Sequence, residues 1–187
     1  MERFQDVPGG RVVAVSVDGA HRFSKTKVES IDLVAGFGAA GDAHAGVTVQ
    51  HRYLADKDAA APNLRQVHLL HEEFLDEVRD AGFDVPAGGL GENILTAGVD
   101  LLGLPTDTVL RLGPDAVVRV TGLRNPCNQI DSYRPGLQAL CYGVDADGRR
   151  TRRAGVMGVV EQGGVVRAGD AVDVVVPAGT PRPLDVV

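Results

Sequence analysis

Only two cysteines, Cys127 and Cys141, occur in the 187 residues, and only three of the 19 basic residues are lysine, the other 16 being arginine. No apolar run approaches the ~18 residues that a membrane-spanning helix needs. The opening stretch MERFQDVPGG is acidic and broken by Pro and Gly, unlike an export signal. Two thiols in such a chain are expected to be free, in the reducing cytoplasm. The formal net charge of −6 excludes the broad basic surface that nucleic acids and anionic membranes select. There is no internal repeat, no low-complexity segment, no Gly-Lys-Ser/Thr phosphate loop and no dinucleotide fingerprint. The scarcity of lysine makes arginine nearly the sole cation. Arginine holds planar anions through two parallel hydrogen bonds, so the composition fits a local anion site on an acidic protein as well as a solvated surface.

What is present is a series of short Val- and Leu-rich runs between turn residues. RVVAVSV (11–17), VESIDLV (28–34) and QVHLL (66–70) read as strands. TVLRLG (108–113) and AVVRVTGL (116–123) flank Pro-Asp and read as a hairpin. The segment 155–177 supplies two or three more strands with tight Gly turns. HEEFLDEVRDAGF (71–83) is the clear helix, with Phe74, Leu75 and Val78 on one face. Many strands with one or two helices predict a mainly β protein, a barrel built as a single domain over 1–187. Its core covers about 10–177, and 178–187 reads as a frayed tail. The segment 46–63 reads as a long loop, of the kind that is functional or mobile.

Four groups of residues carry candidate chemistry. In GDAHAG (41–46), Asp42 and His44 sit two apart between glycines, either in a plain Asx turn or as groups that orient a ligand. In GGLGENI (88–94), Gly91 allows close backbone approach while Glu92 and Asn93 present polar side chains. His44, His51, His68 and His71 fit no standard zinc spacing, and His71 also suits a helix start. In TGLRNPC (121–127), Arg124 stands three residues before Cys127, and a nearby cation favours the thiolate. Residues three apart on a regular strand face opposite ways, so the two converge only if the chain turns at Pro126. Cys141 follows LQAL and reads as a packed core thiol.

Taken in order, FSK (23–25), GDAHAG, NLRQVHLL (63–70), GGLGENILTAGVDLLGL (88–104), TGLRNPC and GVMGVVEQGGVVRAGD (155–170) resemble the MOSC family, named for the C-terminal domain of molybdenum cofactor sulfurases, in its short stand-alone bacterial form. The resemblance implies a closed, mixed-strand β barrel with a pocket for the molybdenum cofactor, molybdenum held by a pterin dithiolene (molybdopterin). It implies that Cys127 is the catalytic thiol, as a molybdenum ligand or a persulfide carrier. Arg124, Asn93, Glu92, Gly91, Asp42, His44, Lys25 and Arg65 are then the residues expected around the cofactor. Sulfur transfer and reduction of N-hydroxylated compounds are the implied activities, and a non-catalytic carrier of the cofactor or of another anionic or sulfur ligand is the alternative. The length leaves no room for a pyridoxal-phosphate desulfurase domain, so a cysteine desulfurase or an electron-transfer protein is the expected partner. Ala43 stands where some members carry arginine, which removes one anion contact.

Overall fold

The computed structural model describes residues 5–50 and 55–187, so the candidate ligand His51 and part of the segment 46–63 lie outside the described residues. Seven strands close a barrel. They are β1 (Gln5–Val17), β5 (Val67–His71), β6 (Ile94–Ala97), β7 (Val109–Leu112), β8 (Ala116–Leu123), β11 (Val156–Gln162) and β13 (Ala171–Val176). Their order is β13-β7-β8-β11-β5-β6-β1, and pairing of β13 with β1 completes the ring. Strand β2 (Thr26–Val28) adds to the side of β1. A three-stranded sheet of β12 (Gly164–Arg167), β3 (Ser30–Val34) and β4 (Gly38–Ala39) packs beside the barrel, and β9 (Tyr142–Val144) pairs with β10 (Arg150–Arg152).

The sequence accounts for most of this directly. In β3 burial alternates strictly, with Ile31 and Leu33 inward, the period of a half-solvated strand. The single run expected over 28–34 divides at Glu29 into β2 and β3. Strand β1 crosses from β13 to β6 with register shifts near Val7–Gly10 and Val12–Ala14. The close passage requires Gly10, where a Cβ would run into the Ala97 carbonyl. Strands β5 and β6 form the one parallel pair among the described ladders. The helix α1 (Glu72–Asp80) provides their crossover, as parallel neighbours require.

Two apolar cores result. One fills the barrel, with Leu69, Ile94, Leu110, Leu112, Val118 and Val156 fully buried. The other lies outside β5 and β6, where Phe74, Leu75 and Val78 of α1 meet Leu70, Leu95, Ile130, Leu137 and Cys141. Each such Leu or Phe contributes roughly 1.5–3 kcal/mol by leaving water. The short helices α2 (Gln129–Tyr133) and α3 (Leu137–Leu140) bring Ile130 and Leu137 to this second core. Three described helices therefore stand where one or two were expected.

The tail departs from expectation. Residues 182–187 are not frayed: Leu123 N–H donates to the Asp185 carbonyl at 2.8 Å, and Thr106 donates to Arg182 and Pro183 carbonyls at 2.8 and 3.1 Å. Strand β7 covers β8 only from Ala116 to Arg119. The tail occupies the edge left open at Leu123, and Leu184 packs on the barrel core. The segment 46–63 is also tied at its base by Thr48–Pro62 pairing and by Asn63, whose side chain donates to the His44 and Gly46 carbonyls at 2.9 and 3.0 Å. No helix among the described residues is long and apolar enough to cross a membrane.

Candidate functional site

Strand β8 ends at Leu123. Beyond it the chain turns: Arg124 N–H donates to the Gly155 carbonyl at 3.0 Å, and the Tyr142 hydroxyl donates to the Pro126 carbonyl at 3.3 Å. Because the strand stops, Arg124 and Cys127 do not face opposite ways. Both line one pocket of about 910 Å³. Lys25, His44, Arg65, Gly91 and Asn93 line it too, so seven of the nine residues singled out from the sequence converge. Asp42 and Glu92 stand behind the lining rather than in it.

Behind one wall lies a polar cluster in which the Asp42 and Lys25 charges are matched, while His44 Nδ1 is buried without a hydrogen-bond partner. Asp42 Oδ2 accepts from Lys25 Nζ at 2.6 Å, from Asn93 Nδ2 at 3.0 Å and from Asp18 N–H at 3.3 Å. Its Oδ1 accepts from His44 N–H at 2.9 Å and lies 3.4 Å from His44 Nδ1. Burial pushes the Asp42 carboxyl up, but His44 and the Lys25 ammonium pull it down further, and the net shift is downward. Burial likewise lowers Lys25, against the opposing pull of Asp42. Asn93 joins this cluster to the barrel, donating also to Ser16 O at 3.2 Å and accepting from His68 N–H at 3.1 Å. Glu92 is fully buried, accepts from Gly88 and Leu90 N–H groups, and is raised by burial. These two bonds fold the loop that presents Gly91. Gly91 itself has φ +83°, and a Cβ there would stand 2.6 Å from the Phe23 carbonyl. Only glycine fits.

The cysteine side is different. The Arg124 guanidinium lies 5.7 Å from the centre of the Phe23 ring, and its Nη1 is buried without a hydrogen-bond partner. Burial lowers its pKa. Arg65 donates from Nη1 to the Val187 carbonyl at 3.2 Å; burial and Arg124 both lower it, and Cys127 opposes them. Cys127 is half-buried, with Sγ 3.7 Å from Gln129 Oε1. Two guanidiniums and a thiol thus face the same space with incomplete partners. Cys141 is sealed in the second core, and burial pushes its thiol up to about 11.

Among the described residues, His44, His68 and His71 do not form a metal centre. His68 is buried with Nε2 2.7 Å from the Ala154 carbonyl, and desolvation holds it well below the usual histidine range. His71 is the residue that opens α1. Among the described residues no three His, Cys, Asp or Glu side chains are grouped to hold a metal ion. The sequence did not single out His21, whose ring meets His44 edge-on at 5.5 Å, nor Arg22, Met157, Val186 and Val187, which also line the pocket. The tail residues carry no polar signal that marks them.

A soft thiol and a guanidinium with an unpartnered, buried Nη1 suit a cofactor that brings a metal for the first and anionic oxygens for the second. Residues 56–173 match the family model of the MOSC domain. The chain belongs to the MOSC domain family, which is associated with binding of the molybdenum cofactor. Among solved structures it is similar to the YuaD protein from Bacillus subtilis, with a TM-score of 0.74 at 21% identity over 93% of this chain and 99% of that one. It is also similar to YiiM from Escherichia coli (TM-score 0.57, 19% identity, covering 92% of this chain and 73% of that one). YiiM from Geobacillus stearothermophilus gives a TM-score of 0.57 at 18% identity, covering 91% of this chain and 75% of that one. At these identities the likeness establishes the fold. Comparison with curated protein sequences gives no match.

Proposed function

We propose that this protein holds the molybdenum cofactor in the Cys127 pocket, with the Cys127 thiolate as molybdenum ligand, and serves in reduction of N-hydroxylated compounds with electrons from a separate carrier protein. The observation that carries this reading is the pairing of a half-buried thiol with an arginine whose buried Nη1 has no hydrogen-bond partner, in a pocket whose other cationic side chains are Arg22, Lys25 and Arg65. Arg124 and Arg65 would hold the anionic oxygens of the cofactor. Asn93 and Gly91 would fix its edge, and the Asp42–Lys25 pair would keep that wall rigid. His44, with Nδ1 beside Asp42, is placed to hold a proton at the pocket surface. When bound, the cofactor supplies two-electron redox chemistry; the protein's groups bind, orient and protonate.

A second reading, Cys127 as a persulfide carrier fed by a cysteine desulfurase, draws on the exposure of the neighbouring Asn125, Asn128 and Gln129, which leaves the thiol within reach of another protein. Metal analysis separates the two. Protein from a cofactor-competent host is expected to contain stoichiometric molybdenum and pterin, and Cys127→Ser to lose the molybdenum. Sulfane sulfur on Cys127 without molybdenum would establish the carrier instead.

A further inference from the structure

Reduction of an N-hydroxylated compound takes up two protons with its two electrons. The N–O bond breaks, the nitrogen keeps a hydrogen, and the oxygen leaves as water. Hydroxide is a poor leaving group, so a proton donor must meet that oxygen as the bond breaks. The lining of the pocket narrows the choice. Arg22, Arg65 and Arg124 are guanidiniums, which do not give up protons in proteins. Lys25 is buried with its ammonium on Asp42 at 2.6 Å. His68 is buried against the Ala154 carbonyl, and desolvation keeps it neutral. His21 is exposed and has no carboxylate partner among the described residues.

His44 alone combines access with a carboxylate. Its side chain is 34% exposed and lines the pocket with Cys127. Its Nδ1 is buried and stands 3.4 Å from Asp42 Oδ1 without a formed hydrogen bond. Asp42 is loaded unevenly. Oδ2 accepts from Lys25 Nζ, Asn93 Nδ2 and Asp18 N–H. Oδ1 accepts only from His44 N–H, at 2.9 Å. A carboxylate oxygen takes about two such bonds, so Oδ1 keeps one place open beside His44 Nδ1. This is the single opening in an otherwise closed cluster.

We propose that Asp42 holds His44 in the tautomer protonated on Nδ1, and that His44 Nε2 delivers the proton with which the N-hydroxyl oxygen leaves as water. The inference rests on the function proposed above, whose carrier protein supplies the two electrons. Charged His44 has a proton on each nitrogen. Nδ1–H faces Asp42 Oδ1, and Nε2–H passes to the departing oxygen. The neutral ring left behind keeps Nδ1–H and regains a proton at Nε2 from solvent. The second proton of the reaction comes from solvent and stays on the product nitrogen. Asp42 touches no substrate: it is a positioning residue that decides which nitrogen of His44 works.

Nitrogen-15 NMR of the unaltered, cofactor-free protein reads the tautomer directly, with His44→Gln assigning the signals. At alkaline pH, where the ring is neutral, the Nδ1–H form of His44 is expected to exceed the other by at least about tenfold. A free histidine side chain favours Nε2–H. Asp42→Asn is expected to invert the preference. The three donors keep the amide oxygen in the place of Oδ2, so the amide nitrogen faces His44 Nδ1 and donates to it. Should that variant fail to fold, the unaltered protein still decides. In cofactor-loaded protein reducing phenylhydroxylamine with reduced methyl viologen, His44→Gln is expected to lose about a hundredfold in kcat, with KM changed by less than about threefold. Its molybdenum content should equal that of the parent. An Nε2–H tautomer in the unaltered protein, or a kcat for His44→Gln within about threefold of the parent, overturns the proposal. Absence of turnover by the loaded parent counts against the proposed function and proton delivery with it. The tautomer, read without cofactor, then still decides whether Asp42 orients His44.

Discussion

Two polar clusters flank the same pocket, and they are built on opposite rules. Around Asp42, Lys25 and Asn93 the hydrogen bonds close on one another, and both charged ends are buried and paired. Around Arg124, Arg65 and Cys127 the positive charges accumulate, and Arg124 Nη1 is left without a partner. A closed cluster fixes shape, since each group holds the others in one geometry. An open one is costly in the folded protein unless something else completes it. On the proposed function, the difference separates residues that build the pocket wall from those that would hold a ligand, although the sequence places all of them in the same short motifs.

The largest effect is expected where the closed cluster is broken. Asp42→Ala leaves the Lys25 ammonium buried and unpaired, and a loss of about 3–5 kcal/mol is expected in urea unfolding. The double variant Asp42→Ala/Lys25→Met removes both charges and should recover much of it. Acid tests the same cluster. The folded Asp42 carboxyl sits below its ordinary value, so its contribution is full above the unfolded pKa of about 3.9 and is lost as pH falls through the folded value. The acid limb of the stability profile below about pH 4 should therefore be shallower in Asp42→Asn than in the parent. Equal limbs would show that Asp42 is not the group being titrated.

The two cysteines extend the comparison to reactivity. Cys141 is sealed by Leu137 and Ile130 of the second core, and Cys127 opens on the pocket. Labelling of the native protein is expected to favour Cys127 by about a hundredfold or more, since Cys141 reacts only through local opening. Cys141 also carries a pH signature. Its folded thiol titrates at about 11 against an ordinary 9.0, so the stabilisation present below pH 9 is lost as pH rises through 11. Cys141→Ala should lack this alkaline loss. If Cys141 is modified first, the assignment of the two thiols is reversed.

The sequence made parts of this legible for definite reasons. Strand β8, the hairpin with β7, and α1 with Phe74, Leu75 and Val78 inward are periodic over enough residues to be read. Strand β6 was hidden because Ile94–Ala97 is buried on both faces, so no alternation marks it. Helices α2 and α3 have five and four residues, too few for a helical period to show. The convergence of Arg124 with Cys127 depends on where β8 ends, which is set by its partners. Asp42 and Glu92 were read as cofactor contacts beside His44 and Asn93. Their burial behind the lining follows from tertiary hydrogen bonds to Lys25, Gly88 and Leu90, which adjacency in sequence does not reveal.

A finer distinction concerns the shape of the charge in the open cluster. Arg124→Lys keeps a cation but loses the planar fork, and about a tenfold weaker retention of the cofactor or of inorganic molybdate is expected by equilibrium dialysis. The same change should leave the urea midpoint nearly unmoved. Retention equal to the parent would mean that Arg124 acts only as a point charge.

The smallest effect is expected in stability when Arg124 is removed altogether. Its side chain is half-buried, its Nη1 is buried and makes no bond, and the Phe23 ring is 5.7 Å away. Taking such a charge out of the fold relieves a desolvation cost and forfeits only a weak cation–π contact, worth about 0.5–1 kcal/mol. Arg124→Met, which fills similar space without charge, should therefore change the unfolding free energy by less than about 1 kcal/mol in either direction. Set beside the loss expected for Asp42→Ala, this is the sharpest form of the contrast: one charge that the fold needs and another that, on the proposed function, only a ligand would need. A loss of several kcal/mol in Arg124→Met would place Arg124 in the closed class, as a structural residue, and leave Cys127 and Arg65 to define the site.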